Sequence, residues 1–143
     1  MSTTTASITD TASAFFEACE TGKGWDGCRA YCALDASFQA QSEPLAEITT
    51  LQGYAEWMKR MLVVLPDASY EVRSFATDHD RQSVCAYAVF SGTHTGEGGP
   101  VPATGKHTDT DYVYVMRFRD GKISHMTKIW NSGWALRDLG WAG

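Results

Sequence analysis

No stretch of this chain concentrates Lys or Arg, and its 12 basic residues are outnumbered by 17 acidic ones, for a formal charge of −5. That balance argues against nucleic acid or an anionic membrane surface as the partner and mainly favours solubility. Residues 1–7 lack both a basic start and an apolar stretch, so they are expected to be a short disordered tail, neither signal peptide nor membrane anchor, on a cytoplasmic protein. Cys-x-x-Cys and His-x-His are absent, and Cys28 and Cys32 stand at helical i, i+4 spacing among apolar neighbours. Cys19, Cys28, Cys32 and Cys85 are therefore expected to be buried free thiols, with no metal site and no cofactor. There is no internal repeat. What is present is 143 residues, 43% hydrophobic and 12% aromatic, enough for one sizeable core and too few for two, so residues 8–143 are expected to form a single domain.

The hydrophobic period changes along the chain. Ser7 and Asp10 mark a capped helix start, and Ala12, Phe15, Phe16 and Cys19 recur at i, i+3, i+4, i+7 before Gly22 ends the run. Cys28, Tyr31 and Cys32 predict a second short helix, Ala36–Gln41 a short strand, and Tyr54 to Leu65 a third helix with a broad apolar stripe, closed by Pro66. Beyond it the period is two. Residues 69–77, 83–94, 106–118 and 122–130 predict four strands separated by turn signals at Asp78-His79-Asp80, Glu97-Gly98-Gly99-Pro100 and Asp120-Gly121. Helices followed by an antiparallel meander predict an α+β fold. Leu136, Leu139 and Trp141 are too apolar to be left in solvent and are expected to pack on the body or on a second subunit.

In the third of these strands the even positions, Thr108 to Phe118, are expected to face inward and the odd ones, with His107, Asp109, Asp111 and Arg117, outward. In the last strand Ser124, Met126, Lys128 and Trp130 are the even set, which puts a lysine between a methionine and a tryptophan on an apolar face. A two-residue Asp120-Gly121 loop would set even opposite odd. A three-residue loop, Arg119-Asp120-Gly121, with a bulge at Gly121, sets even against even and is favoured because it groups Tyr112, Tyr114, Met126, Lys128 and Trp130, with Tyr112 opposite Lys128.

An inward ammonium must find a hydrogen-bonding partner or lose its proton. Lys128 with Tyr112 and Tyr114 is accordingly a candidate group for holding a carbonyl or enolate oxygen, the alternative being that the lysine stem packs and its head reaches solvent. His94 is a further candidate acid or base, since histidine titrates near neutrality and stands beside a loop; the glycines around it serve the turn in any case. Phe15, Phe38, Ala40, Trp57, Met58, Met61, Met116, Met126 and Trp130 are the candidate lining of a pocket for a hydrophobic small molecule, at spacings that also suit plain core. Val113, Val115, Ile123 and Ile129 on the outward face, with Tyr87 and Val89, predict a homodimer through the sheet.

The run Phe90-Ser91-Gly92-Thr93-His94-Thr95-Gly96-Glu97, then Thr104-Gly105-Lys106, Phe118-Arg119-Asp120-Gly121-Lys122-Ile123 and the terminal Leu136-Arg137-Asp138-Leu139-Gly140, resembles SnoaL-type polyketide cyclases from about Asp10 to Gly140. The resemblance implies the cone-shaped fold of nuclear transport factor 2 and the ketosteroid isomerases, also called cystatin-like, in which a curved antiparallel sheet wraps N-terminal helices around an apolar pocket. It implies cofactor-independent cyclase or isomerase chemistry on a hydrophobic carbonyl compound. In the cyclases an aspartate on the last strand is the acid/base, and that position falls at Lys128, or at Ile129 if Trp130 is the anchor. The family's pocket histidine falls at Tyr114. Against the ketosteroid isomerases, the helix-one tyrosine falls near Phe15, the general-base aspartate near Ala40 and the second acid at Tyr114. Neither mechanism finds its base in this chain, which leaves two expectations: an enzyme that uses Lys128 with Tyr112 and Tyr114, or a non-catalytic small-molecule-binding and dimerisation module.

Overall fold

The computed structural model describes residues 7–141. Of the expected tail, residues 1–7, all but Ser7 lie outside the described residues. Ser7 itself is the N-cap of helix α1 (Ile8–Glu20), its hydroxyl accepting from the Asp10 amide at 3.1 Å. A short α2 (Gly24–Cys28) and a 3₁₀ turn follow, and the chain enters strand β1 (Cys32–Ala40) four residues earlier than its sequence pattern predicts. Cys32 therefore begins a strand and does not continue a helix; its thiol donates back to the Cys28 carbonyl at 3.4 Å. Cys19, Cys28 and Cys32 are buried free thiols as expected, whereas Cys85 is exposed. Helix α3 (Leu51–Val64) is capped by Thr50, which accepts from the Gly53 amide, and ends before Pro66.

The meander is β2 (Ser69–Asp78), β3 (Ser83–Thr93), β4 (His107–Arg119) and β5 (Lys122–Trp130), in the order β1-β5-β4-β3-β2. Neighbours within the meander are antiparallel, but β1 joins the β5 edge in parallel, so the five-stranded sheet is mixed. The architecture is the expected α+β one, with α1 and α3 packed on one face of the sheet around a core that holds Phe15, Phe16, Tyr54, Met58, Tyr114 and Met126.

The hairpin between β4 and β5 combines the two alternatives drawn from the sequence. Arg119 pairs with Lys122 across a two-residue Asp120-Gly121 turn, both residues having positive φ (54° and 76°), which matches the twist of the flanking strands. A bulge then follows: Arg117 pairs with His125 and Phe118 with Ile123, so Ser124 is the extra residue. The bulge restores even opposite even, shifted by two from the expected register. Tyr114, not Tyr112, is opposite Lys128, and Tyr112 is opposite Trp130. It also turns Ile123 into the core, fully buried, and removes it from the outward face.

The long connection from β3 to β4 lies against the end of α3. The Gly96 amide donates to the Val64 carbonyl at 3.0 Å, and a Cβ at Gly96 would lie 1.9 Å from the Val63 carbonyl oxygen, so this glycine is required by close approach. The C-terminal segment forms a helix that its short apolar pattern did not reveal. In α4 (Ser132–Leu139) the Asn131 side chain caps the start and Gly140, at φ 76°, ends it. Leu139 is buried, and the Trp141 indole N–H donates to His94 Nδ1 at 2.8 Å.

Candidate active site

Three elements converge on one buried polar group. β5 places Lys128 inward with only 6% of its surface exposed, between Met126 and Trp130 in the β-strand period. Its Nζ donates to Tyr54 Oη at 2.9 Å and lies 4.4 Å from the Trp130 ring centroid, 5.0 Å from Tyr54, 5.3 Å from Trp57 and 5.5 Å from Tyr112. An ammonium ringed by four aromatic faces gains back part of its lost hydration. Tyr54, from α3, shares a second hydrogen bond with the Tyr114 hydroxyl at 2.5 Å, in which either oxygen can donate. Tyr114 is wholly buried, its hydroxyl 4.0 Å from Cys19 Sγ.

The third contributor is Glu20, the last residue of α1. It is 5% exposed, lines the same cavity as Lys128 and Tyr112, and forms no direct ion pair with Lys128. Burial holds its carboxyl above the usual carboxylate range, against the opposing pull of the Lys128 charge and of the Tyr112 and Tyr114 hydroxyls. The negative end of the α1 dipole acts in the same direction as burial. Burial also pushes Lys128 from 10.5 down to about 8, with the Glu20 charge acting the other way. Tyr54, Tyr112 and Tyr114 are pushed upward, so all three stay protonated donors at neutral pH.

Two polar atoms here, Glu20 Oε2 and Tyr112 Oη, are buried near each other, and neither has a partner at full hydrogen-bond distance. Such atoms are uncommon in folded proteins and are readily explained where a ligand supplies the partner. A base with a raised affinity for protons, a cation and a hydroxyl thus face a common space whose other walls are mostly apolar, Trp57, Met58, Met61, Phe90, Leu136 and Trp141 among them, with Thr108 and Thr110 the exceptions. The room for a guest in this partly open cavity is about 40 Å³.

Of the residues singled out from the sequence, Lys128, Tyr112, Trp57, Met58, Met61 and Trp130 line this cavity. Tyr114 stands one layer behind, reached through Tyr54. Phe15 is core, and Phe38 stacks on Tyr54 with centroids 4.5 Å apart, so neither lines the space. Ala40 is half-buried on β1, paired with Lys128 in the sheet. Met116 and Met126 pair with each other nearer the hairpin, both fully buried in the core. His94 lies outside the lining, fully buried behind Trp141, with Nε2 unpartnered.

The residues not anticipated are Glu20, Tyr54, Thr108, Thr110 and the α4 wall. Glu20 had a legible signal. It stands four residues after Phe16 and eight after Ala12, on the buried row of α1, so the helical period alone turns its carboxylate into the core.

A sequence model of SnoaL-like polyketide cyclases matches residues 10–139. The chain belongs to that family. Solved structures share the fold of this SnoaL-like protein at low identity. IdmH from Streptomyces antibioticus, provisionally described as a polyketide cyclase, is 23% identical over 94% of this chain and 99% of that one, with a TM-score of 0.75. AclR from Streptomyces galilaeus, provisionally described as a hydroxylase, is 20% identical over 95% and 86%, also with a TM-score of 0.75. TsrD from Streptomyces laurentii is 17% identical over 98% and 99%, with a TM-score of 0.72. No curated protein matches the chain. One fold carries both a cyclase and a hydroxylase description, so the reaction must be argued from the site. Among the described residues of the SnoaL-like chain no helix is long and apolar enough to cross a membrane, and no three His, Cys, Asp or Glu side chains converge as metal ligands.

Proposed function

We propose that this SnoaL-like protein is a cofactor-independent cyclase or isomerase acting on a hydrophobic carbonyl compound, with Glu20 as the general base. The observation that carries this reading is a buried carboxylate of raised proton affinity facing a buried lysine across an apolar cavity. The Glu20 carboxylate takes a proton from the carbon next to the substrate carbonyl, and the electron pair of that C–H bond moves onto the carbonyl oxygen. Lys128 and the Tyr112 hydroxyl donate to the enolate oxygen so formed. The enolate carbon then attacks a second carbonyl of the same molecule, whose oxygen receives the proton from Glu20, or it is reprotonated at another carbon. The first outcome closes a ring and the second shifts a double bond.

The base has moved from the last strand, where the resemblance placed it, to the end of α1, and Lys128 on that strand becomes the electrostatic partner. Lys128 is charged below about 8 and Glu20 ionised above its raised value, so turnover should follow a bell-shaped pH profile with an alkaline limb near 8. A ring-sized substrate needs far more than 40 Å³, so binding requires the α4 wall and Trp141 to withdraw. The second reading, a binding and dimerisation module of this fold, is favoured by Lys128 standing on the last strand where the resemblance implies an acid/base aspartate. Thermal melting against anthraquinones, steroids and fatty-acid derivatives, followed by turnover of any ligand by wild type and Glu20→Gln, separates the two. A saturable shift with turnover that Glu20→Gln abolishes supports the enzyme; a shift without turnover supports the module; no shift across the panel refutes both.

The homodimer is part of the proposal. Tyr87 and Ile129, which flank Val113 on the outward face of the sheet, are exposed, Ile129 at 59% of its surface, which supports a subunit contact there. Sedimentation equilibrium of wild type and Ile129→Asp tests it, with dimer for the first and monomer for the second expected.

A further inference from the structure

Lys128 carries a nucleophilic nitrogen that the proton-transfer chemistry uses only as a charge. Its Nζ is tied to Tyr54 at 2.9 Å among the rings of Tyr54, Trp57, Tyr112 and Trp130, yet the side chain also lines the cavity, so the amine borders open room. These contacts come from α3, β4 and the end of β5, and none involves α4, so they do not depend on whether that wall withdraws. The room, about 40 Å³, is that of roughly three water molecules, which suits a two-carbon aldehyde with α4 in place. Glu20 lines the same room, and its Oε2 has no partner at full hydrogen-bond distance. Burial disfavours the ammonium form of Lys128, so a usable share of it is the free amine near neutral pH, whereas a solvated lysine is almost wholly charged.

We propose that Lys128 is a covalent site for short aliphatic aldehydes, which it holds as a Schiff base. The Nζ lone pair attacks the aldehyde carbon, a C–N bond forms, and the carbonyl oxygen takes up the proton that the nitrogen gives off. The hydroxyl of this carbinolamine leaves as water with a proton from the Glu20 carboxyl, while the nitrogen lone pair closes the C=N bond. The iminium keeps one N–H, which Tyr54 accepts as it accepts from the ammonium, and loss of that proton to the Glu20 carboxylate gives the neutral imine. Amine and aldehyde thus become imine and water, with no oxidant or reductant. The aromatic faces that hold the ammonium also hold the iminium, and the apolar walls limit the water that reverses the step. This activity goes beyond the proton transfer proposed above, in which Lys128 acts as an uncombined cation.

The test is reductive trapping of wild type with acetaldehyde and cyanoborohydride at pH 7, which leaves an ethyl group on each nitrogen that formed an imine. Peptide mass mapping then reads the labelling rate of every lysine, with the exposed Lys23, Lys59, Lys106 and Lys122 as internal controls. Lys128 should be labelled about tenfold or more faster than any of the four, because far more of it is free amine. Its rate should level off above about pH 8, where that of a solvated lysine keeps rising. In denaturing guanidinium chloride the excess should vanish. Labelling of Lys128 no faster than that of the exposed lysines, or an excess that persists in the unfolded chain, overturns the Schiff-base site. Either result leaves the Glu20–Lys128 reading standing, since that reading needs only the charged lysine and is tested separately by Glu20→Gln turnover.

Discussion

Replacing Lys128 by Met removes a charge that the fold holds at a loss. Met has nearly the same reach, suits a niche of Trp57, Trp130, Tyr54 and Tyr112, and leaves the Tyr54–Tyr114 hydrogen bond in place. Lys128 binds its proton less tightly in the folded chain, at about 8, than at its ordinary value of 10.5, a difference worth about 3 kcal/mol. Below about 8 both the folded and the unfolded chain carry the charge and the penalty is complete. Between about 8 and 10.5 the unfolded chain binds more protons, so native stability rises with pH, and above 10.5 the penalty is gone. The lost hydrogen bond to Tyr54 offsets about 1 kcal/mol, so Lys128→Met should be more stable than wild type by about 2 kcal/mol at pH 7. At pH 9 the folded lysine is mostly neutral and the advantage should shrink by about 1 kcal/mol. Removing Lys128 also lets Glu20 rise further, which costs the variant stability as pH increases and so acts in the same direction. Urea denaturation of both proteins at pH 7, 8 and 9 reads the difference directly, with other titrating groups cancelling between them. A gap of the same size at pH 7 and pH 9 would refute the argument, because it would mean that Lys128 titrates as a solvated lysine does.

Glu20→Gln should lower any turnover by about 10²- to 10⁴-fold, as expected for loss of a general base. The proton affinity of Glu20 is raised on folding, so its contribution to stability is complete below about 4.5 and is lost as pH rises through the folded value. Glu20→Gln should therefore flatten the fall in melting temperature as pH rises above about 4.5, and an unchanged slope would show that the carboxylate is solvated. Gly96→Ala drives a methyl group into the Val63 carbonyl and should cost about 3 kcal/mol in a urea melt; a neutral result would mean that the β3–β4 connection does not rest on α3. Trp141→Phe removes the hydrogen bond to His94 and should cost about 1 kcal/mol while raising the association rate of anthraquinone in stopped-flow quenching, since α4 and Trp141 wall the cavity. An unchanged rate would place the ligand's way in elsewhere.

Patterns local to one element were legible directly. The cap at Ser7, the stripe of α3, the alternation of β4 and the inward Lys128 follow from periods of 3.6 and 2, which depend on backbone geometry alone. The family motifs, spread over most of the chain, carried the α+β cone with them. Legible but not drawn was Glu20, on the same helical row as Ala12 and Phe16, because a charged residue in a last helical turn is ordinarily a solvated one. The hairpin register was beyond reach of parity arguments. A type I′ turn and a bulge each shift it by one, and their sum keeps parity while moving Lys128 from Tyr112 to Tyr114. By itself the sequence determined which side chains an unbulged element turns inward, since that is fixed by the period of the backbone, whereas the bulge in β5 reversed Ile123. Tertiary structure alone decided that Glu20 of α1, Tyr54 of α3 and Lys128 of β5 meet in one dry space, because proton affinities and hydrogen-bond directions depend on distances between elements that no spacing along the chain encodes.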